Sequence, residues 1–303
     1  MRRCIPFLTI ATLLFCSLTS SNVLAQRPRT LSEETTGLVI KAPPNTVIWI
    51  DRLRYGKTGD DGTLIVKNAR PGSHILRARL KGKREVTKTF DYPQGSSQEV
   101  QVKLTAPADK AELHFQMAEE LREAGKHPEA LKEYRQAMAL RKGGYAAARI
   151  GLARSLMATE KYEDAVVQAR AAVRDSGGRN GEAYTVIANT RRFQGLYDQA
   201  IIGYETALEQ SRGFSPEAHT GLALTFQDRN RAEEAIKHFR IGAEQSNDTE
   251  PIIYFLMGGA LERENRLKEA LVAYEKFLEL DPNGRQTTAV RSIIKQLKRS
   301  AQW

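Results

Sequence analysis

Cysteine is almost absent from this 303-residue sequence. Both of its cysteines, Cys4 and Cys16, lie within the first 25 residues, and no cysteine follows them. A chain without thiols beyond residue 25 can hold neither a disulfide framework nor a cysteine-ligated metal in that part. The sequence therefore excludes a disulfide-stapled fold, and cleavage after residue 25 would leave a protein suited to an oxidising compartment.

Long hydrophobic runs are also scarce, and the one apolar stretch covers residues 5–18, directly after two arginines. It is shorter than the roughly 20 residues that a helix needs to cross a bilayer, and Val23-Leu24-Ala25 resembles a signal-peptidase site. We predict a signal peptide over residues 1–25, a mature chain that begins at Gln26, and a flexible linker over 26–36. We expect an exported protein of the bacterial periplasm or cell envelope, or a secreted one, without a transmembrane segment after cleavage. An uncleaved anchor is the alternative.

Acidic residues are few in one part of the chain. Residues 26–105 hold 15 basic and 8 acidic side chains, whereas the rest of the mature chain is close to neutral. A basic excess confined to one region favours an anionic neighbour such as lipid, polysaccharide or an acidic protein. A solvated surface rich in lysine and arginine explains the same count.

Residues 37–105 are rich in β-branched residues and punctuated by turn residues. Segments such as "TVIWID" and "HILRARL" alternate apolar with polar side chains, as half-buried strands do. This spacing predicts a small antiparallel β-sandwich. One set of side chains is expected to form a basic patch on its solvent side: Arg77, Arg79, Lys81, Lys83, Arg84 and Lys88.

The order of strands and turns here resembles a PEGA domain, a β module of cell-surface and periplasmic proteins. Pro44 precedes "NTVIWID", Pro71-Gly72 precedes "SHILRARLKG", and the region closes in "VQVKL". Arg52 follows Asp51 where the family usually has glycine. The resemblance implies an envelope-associated module without catalytic residues. Trp49 is expected in the core, with a ligand platform as the alternative.

From residue 111 the hydrophobic period changes from two to 3.6, after a hinge predicted over 106–110. One alanine column recurs every 35 residues, and an apolar or aromatic column follows it by four; the alanines are Ala130, Ala165, Ala200, Ala235 and Ala270. Small residues at this spacing allow two helices to cross closely. A turn column precedes each alanine by five residues, where a left-handed residue is expected: Gly125, Glu160, Gly195, Asn230 and Asn265.

These columns together resemble the tetratricopeptide repeat, with five units over residues 111–283. The unit is one residue longer than the usual 34, and Ala169 stands where the other copies have an aromatic ring. The resemblance implies an all-α, right-handed solenoid of helix hairpins. Residues 284–303 carry a single apolar stripe that includes Val290 and Leu297, which predicts a capping helix.

Catalytic constellations are missing from the sequence. The five histidines are scattered, no HExxH pair, phosphate loop or GxSxG turn occurs, and carboxylates alternate with basic residues on the helices. We therefore predict a protein that is not an enzyme, that uses no cofactor and that does not bind nucleic acid.

Binding in a concave groove is the favoured function, because stacked helix pairs present their first helices along one curved face. By resemblance to the family's groove, the partner-binding residues are Phe115, Arg122, Ile150, Arg154, Thr185, Asn189, Arg192, Leu224, Gln227 and Phe255. The arginines among them are expected to hold a carboxylate or an acidic peptide, and the alternative is that they only solvate the surface. We thus expect a non-enzymatic exported scaffold for a protein or peptide. The alternative is an envelope-binding protein whose basic β region binds glycan or anionic lipid, with the repeats as a spacer or oligomerisation arm.

Overall fold

The computed structural model describes residues 37–66, 69–93, 97–106, 108–141 and 143–300. The predicted signal peptide, the linker after it and both cysteines lie outside these residues.

Seven short strands form the described part of the N-terminal β region, as β-branched segments between turn residues predict. The strands are β1 (Leu38–Lys41), β2 (Val47–Ile50), β3 (Leu53–Lys57), β4 (Thr63–Val66), β5 (Gly72–Arg79), β6 (Val86–Tyr92) and β7 (Gln98–Gln101). They make a three-stranded sheet in the order β4-β1-β7 and a four-stranded sheet in the order β3-β2-β5-β6. Both sheets contribute to one core, in which Leu38, Ile48 and Leu76 are fully buried.

The pairing of strands differs from the prediction at one place. Four of the five pairings are antiparallel, but β1 pairs with β7 in parallel, with Ile40 opposite Val100. The chain therefore leaves the β region beside the strand on which it entered. This pairing has no local signature, because the two strands are separated by the whole β region.

Helices form the rest of the described chain, and they come in pairs. In chain order they are α1 (Lys110–Glu123), α2 (His127–Leu140), α3 (Ala146–Ala158), α4 (Tyr162–Asp175), α5 (Gly181–Phe193), α6 (Tyr197–Gln210), α7 (Pro216–Asp228), α8 (Ala232–Gln245), α9 (Pro251–Arg263), α10 (Leu267–Leu280) and α11 (Thr287–Ser300). Side-chain oxygens of Asp109, Asn180 and Ser215 accept backbone N–H groups at three of the helix N-termini. None of these helices is long and apolar enough to cross a membrane.

The repeat columns have the roles that their chemistry predicts. All five column alanines are fully buried, where two helices cross. All five turn residues have positive φ, including Glu160 at 60°, and each ends a first helix. At the end of the array, Val290 and Leu297 of α11 are buried in the same cluster as Phe277 of α10. The described residues thus form a small two-sheet β region followed by an α-solenoid.

Candidate partner-binding groove

A cavity of about 710 Å³ lies along the concave side of the helices. Its helical wall is built from the first helix of every pair, and three sequence columns supply most of it. The column members that line it are Phe115, Glu119, Ala147, Ile150, Arg154, Glu182, Thr185, Asn189, Glu217, Thr220, Leu224 and Ile252. These columns are spaced three and seven residues apart in each first helix, which places them on one helix face. The solenoid thus converts a 35-residue sequence period into one continuous wall.

Most of the predicted groove residues lie in this wall. Phe115, Arg122, Ile150, Arg154, Thr185, Asn189 and Leu224 line the cavity, whereas Arg192, Gln227 and Phe255 do not. Arg192 and Gln227 stand one further helical turn along, near the end of the first helix. Phe255 packs instead against the rings of Tyr274 and Phe277, with centroids 6.3 and 5.9 Å away. Seven of the ten predicted residues thus line the cavity, and their role in partner binding stays a prediction.

The second wall of the cavity was not predicted, because it comes from the β region. Strands β2, β3 and β5 and the turn between β2 and β3 present six residues to the helices: Trp49, Arg52, Leu53, Arg54, Arg77 and Arg79. Trp49 therefore does not belong to the β core, since it lies on the opposite face of β2 from Ile48. The guanidinium carbons of Arg77 and Arg79 lie 4.5 and 5.0 Å from the centroid of its ring.

The β region is held to the first helix by a set of hydrogen bonds around Gln116. The Gln116 side chain is buried, accepts from the backbone N–H of Gly82 at 3.0 Å and donates to the carbonyl of Lys83 at 2.8 Å. The carboxylate of Glu112 accepts from the backbone N–H of Glu85 at 2.6 Å. Because these groups lie away from bulk water, leaving them unpaired would be costly.

A second, smaller set of contacts reaches the far side of the solenoid. The Asn247 amide donates to the Tyr55 hydroxyl at 2.6 Å, and the Arg52 guanidinium donates to the Ser211 hydroxyl at 3.3 Å. The Arg70 guanidinium donates to the carbonyl of Glu244. The β region thus extends across the concave face from α1 to the connections that follow α6 and α8.

The predicted basic patch does not form as one solvent-facing surface. Arg79 turns toward the helices, where its side chain is only 11% exposed, pairs with Glu85 at 2.8 Å and lies 4.8 Å from the Phe115 ring centroid. Lys88 lies on the other face of the sheet, where it is the cross-strand partner of Leu76. Its side chain donates to the backbone carbonyl of Gln101. Lys81 pairs with Glu120 of α1 at 2.9 Å. The alternation of the strand agrees with the prediction, but Arg77 and Arg79 on the polar face of β5 line the cavity.

The groove arginines already have carboxylate partners within the chain. Arg154 bonds Glu182 at 2.5 Å and Glu217 at 2.8 Å. Arg122 pairs with Glu119 at 3.1 Å, and Arg192 pairs with Asp228 at 3.1 Å. The predicted capture of an acidic peptide by these arginines would therefore require an existing ion pair to break.

These pairs fix the charge state of the groove carboxylates. Burial acts to raise the pKa of Glu119, but the Arg122 guanidinium outweighs it and the pKa is lowered. The pKa of Glu182 is lowered in the same way, because attraction to Arg154 exceeds the cost of desolvation. Burial beside Glu119 raises the pKa of Tyr134, whose hydroxyl donates to that carboxylate. The carboxylates consequently stay ionised at neutral pH, and the tyrosine stays neutral.

Comparison with known proteins agrees with this architecture. Three family models described as tetratricopeptide repeat match residues 121–189, 185–250 and 252–283, which together span more than half of the chain. None of them reaches the β region, and its likeness to a PEGA domain stays a prediction. No curated protein is close enough in sequence to count as a relative.

Solved structures of other proteins share the fold over part of this chain. The Pseudomonas aeruginosa pilF structure has a TM-score of 0.53 at 17% identity, covering 63% of this chain and 84% of its own. A thermophilic TPR protein of Thermus thermophilus also has a TM-score of 0.53, at 19% identity, covering 62% of this chain and 98% of its own. At such identities the likeness shows the fold alone. With its five buried alanine positions, its left-handed turns and the three matching models, this chain is a tetratricopeptide repeat protein, whose fold indicates a protein–protein interaction scaffold.

Proposed function

We propose that this protein is an exported, non-enzymatic scaffold that binds a peptide or protein segment in the groove between its helical wall and its β region. The observation that carries the proposal is the cavity itself. All five first helices contribute to it, and it offers apolar side chains beside charged ones. A mixed lining of this kind, concave and largely preformed, is typical of binding sites.

The electrostatics of the groove support recognition better than catalysis. A general acid or base works best when its pKa lies near the working pH. The arginines hold the pKa values of Glu119 and Glu182 below the ordinary range instead. Ion pairs fixed in this way position and select a charged partner without supplying or removing a proton.

The alternative, an envelope-binding protein, rested on a basic patch of six residues, and fewer of them are now available to an external ligand. Arg77 and Arg79 line the cavity, so four of the six basic residues are left to meet a glycan or a lipid surface: Lys81, Lys83, Arg84 and Lys88. If that reading holds, R84E/K88E should release the exported protein from the envelope fraction. We expect no such release.

The proposal is tested by placing two large uncharged side chains in the groove. Ala147 and Ile252 both line the cavity and are exposed, so A147W/I252W should narrow it without disturbing the core. Cross-linking of the full chain in its native compartment should recover partner segments with the unaltered protein and lose them with this variant. The matched control is V167W/V272W, which changes two exposed side chains outside the cavity. Equal recovery from both variants would rule out groove binding.

Export is tested separately. We expect the protein isolated from the periplasm or culture medium to begin at Gln26 when its N-terminus is sequenced. Recovery of the full 303-residue chain from the cytoplasm alone would contradict export and leave the groove proposal standing.

A further inference from the structure

The turn between β2 and β3 enters the groove in an unfavourable backbone conformation. Asp51 and Arg52 have φ values of 48° and 73°, in the left-handed region that favours glycine. The Asp51 carboxylate explains how the turn is held, since it accepts from the backbone N–H of Ile75 at 2.9 Å and contacts the His74 ring. A two-residue hairpin turn of type I′ has positive φ at both positions, and Arg52 adopts this conformation without the freedom of a glycine. Strain that a glycine would relieve points to a role for the side chain.

That side chain and its neighbours meet the helical wall. Arg52, Leu53 and Arg54 all line the cavity. Arg52 reaches Ser211 at the far connection, and Arg54 pairs with Glu123 of α1 at 3.5 Å. The turn therefore presents an apolar residue between two arginines to the concave face, in the place where a bound segment would lie.

The two walls of the cavity carry opposite charge. Among the described residues, the helices contribute five carboxylates and two guanidinium groups; the carboxylates are Glu119, Glu123, Glu182, Glu217 and Glu250. Arg122 and Arg154 neutralise part of this set, whereas Glu123 meets an arginine of the β region. The β wall contributes four arginines and no carboxylate. Such complementarity favours an internal contact and excludes an acidic ligand from the helical wall.

We propose that the concave face selects an extended basic–apolar–basic segment, and that Arg52-Leu53-Arg54 is an internal competitor occupying the same site. This inference rests on the proposed function and adds the chemistry of the partner. It reverses the sequence-based expectation of an acidic peptide, because the groove arginines are already paired and the helical wall has an excess of carboxylates. A partner segment competes with the turn for the carboxylates of the helical wall, so the turn lowers the apparent affinity of the groove.

A peptide copied from the turn tests this competition. The probe is the labelled heptapeptide DRLRYGK, residues 51–57, and the control peptide is DELEYGK. Binding to the full mature chain is followed by fluorescence anisotropy at low salt. In the variant R52G/R54A the turn keeps its conformation, because glycine suits the positive φ, but loses both charges. We expect this variant to bind DRLRYGK at least about tenfold more tightly than the unaltered protein, which corresponds to about 1.4 kcal/mol.

Salt and matched variants complete the design. Affinity should fall as salt rises, because the contacts are ionic and solvent-accessible. K57A/R84A removes two basic residues of the β region that do not line the cavity, and it should leave the affinity unchanged. E123Q/E250Q, added to R52G/R54A, should weaken binding of DRLRYGK about fivefold or more. A melting curve for each variant checks that the fold is kept.

The outcomes separate this inference from the proposed function. Equal affinity of DRLRYGK for the unaltered protein and R52G/R54A, or no measurable binding to either, would overturn the competition. Binding of DELEYGK that A147W/I252W abolishes would confirm a groove and refute its preference for basic segments. Tight binding of DRLRYGK that A147W/I252W leaves intact would show that the peptide binds outside the groove and would contradict the inference.

Discussion

At two contacts between successive repeats, a large ring in one repeat faces a glycine in the next. A Cβ atom built on Gly151 would lie 2.3 Å from the Tyr134 ring, and one built on Gly221 would lie 2.3 Å from the Tyr204 ring. Each of these two tyrosine rings therefore requires a glycine in the next repeat. The second repeat has Ala169 in place of the tyrosine, and the equivalent of the glycines is Val186, which is fully buried in the same cluster as Ala169. A small residue thus faces a larger one where the ring is missing.

This size exchange predicts strong coupling between positions 169 and 186. A169Y should cost about 1 to 3 kcal/mol by overpacking against Val186. V186G should cost about 2 kcal/mol or more, because it leaves a cavity and places glycine inside a helix. The double variant should recover at least about 1 kcal/mol of the summed loss, as measured by urea denaturation. Strictly additive losses would show that the two side chains do not share one space.

Glu160 offers a second test at a single residue. It occupies the left-handed turn position that Gly125 and Gly195 occupy in neighbouring repeats, with φ at 60°. E160G should therefore raise the free energy of unfolding by about 0.5 to 1 kcal/mol, since glycine adopts this conformation without steric cost. The control E205G, at an exposed site inside α6, should lower it by about 1 kcal/mol. A loss of stability in E160G would mean that the Glu160 side chain has a role of its own.

Pairs of helices are joined by polar contacts as well as by the alanine column. In the fourth repeat, the rings of His219 on α7 and His238 on α8 lie with their Nδ1 atoms 2.9 Å apart and their centroids 5.2 Å apart. One ring must donate and the other accept, so both cannot be charged. Burial, repulsion from His219 and the charge of Lys237 lower the pKa of His238 to about 4, against a weaker opposite effect of Glu234. Burial also lowers the pKa of His219.

This pair predicts a loss of stability in mild acid. Because the pKa of His238 is lower in the folded chain than the ordinary 6.5, the unfolded state binds more protons between pH 6.5 and 4, and stability falls as the pH decreases through that window. Between pH 7 and pH 5 the loss should be about 1 kcal/mol, less than the full pKa difference implies because the His238 ring is partly exposed to solvent. H238F keeps a ring against Phe226 and should flatten the dependence in thermal melts. The same slope in both proteins would assign it to other groups.

At the scale of the described molecule, two unequal sets of contacts attach the β region to the helices. Gln116 and Glu112 bind it firmly to α1, whereas Tyr55, Arg70 and Arg52 touch the far connections through single hydrogen bonds. Two of these three bonds, those of Arg70 and Arg52, lie at exposed sites, where a side-chain bond contributes little to stability. The second set can therefore open while the first stays closed, which would admit a partner segment.

Different effects are expected from disrupting the two contacts. Q116A leaves a buried backbone N–H and a carbonyl unpaired and should cost about 1 to 3 kcal/mol. Y55F/R70A should change the melting temperature little, yet it should speed hydrogen exchange in the connection at residues 246–249. Hydrogen exchange followed by mass spectrometry measures both variants. If Y55F/R70A leaves exchange at 246–249 unchanged, the β region does not restrain the far side of the solenoid.

The sequence by itself determined the local and repeated features of this protein. A period of 35 residues, buried alanines and left-handed turns specify the helix pairs, because each depends on residues close together in the chain. The alternation of apolar and polar side chains also predicted the strand segments, and seven of the ten predicted groove residues line the cavity. These features need only local spacing and a nearest neighbour.

Only the tertiary structure determined which part of the chain lies opposite the helical wall of the groove. Arg154 meets carboxylates 28 and 63 residues away, and Asn247 meets a tyrosine 192 residues away. The pair of Asn247 with Tyr55 leaves no periodic trace, because a few polar contacts between distant segments place the β region and no repetition fixes them. The sequence therefore determined that the chain has a concave wall. The fold decided that the wall is closed by a basic sheet and that its arginines are already occupied.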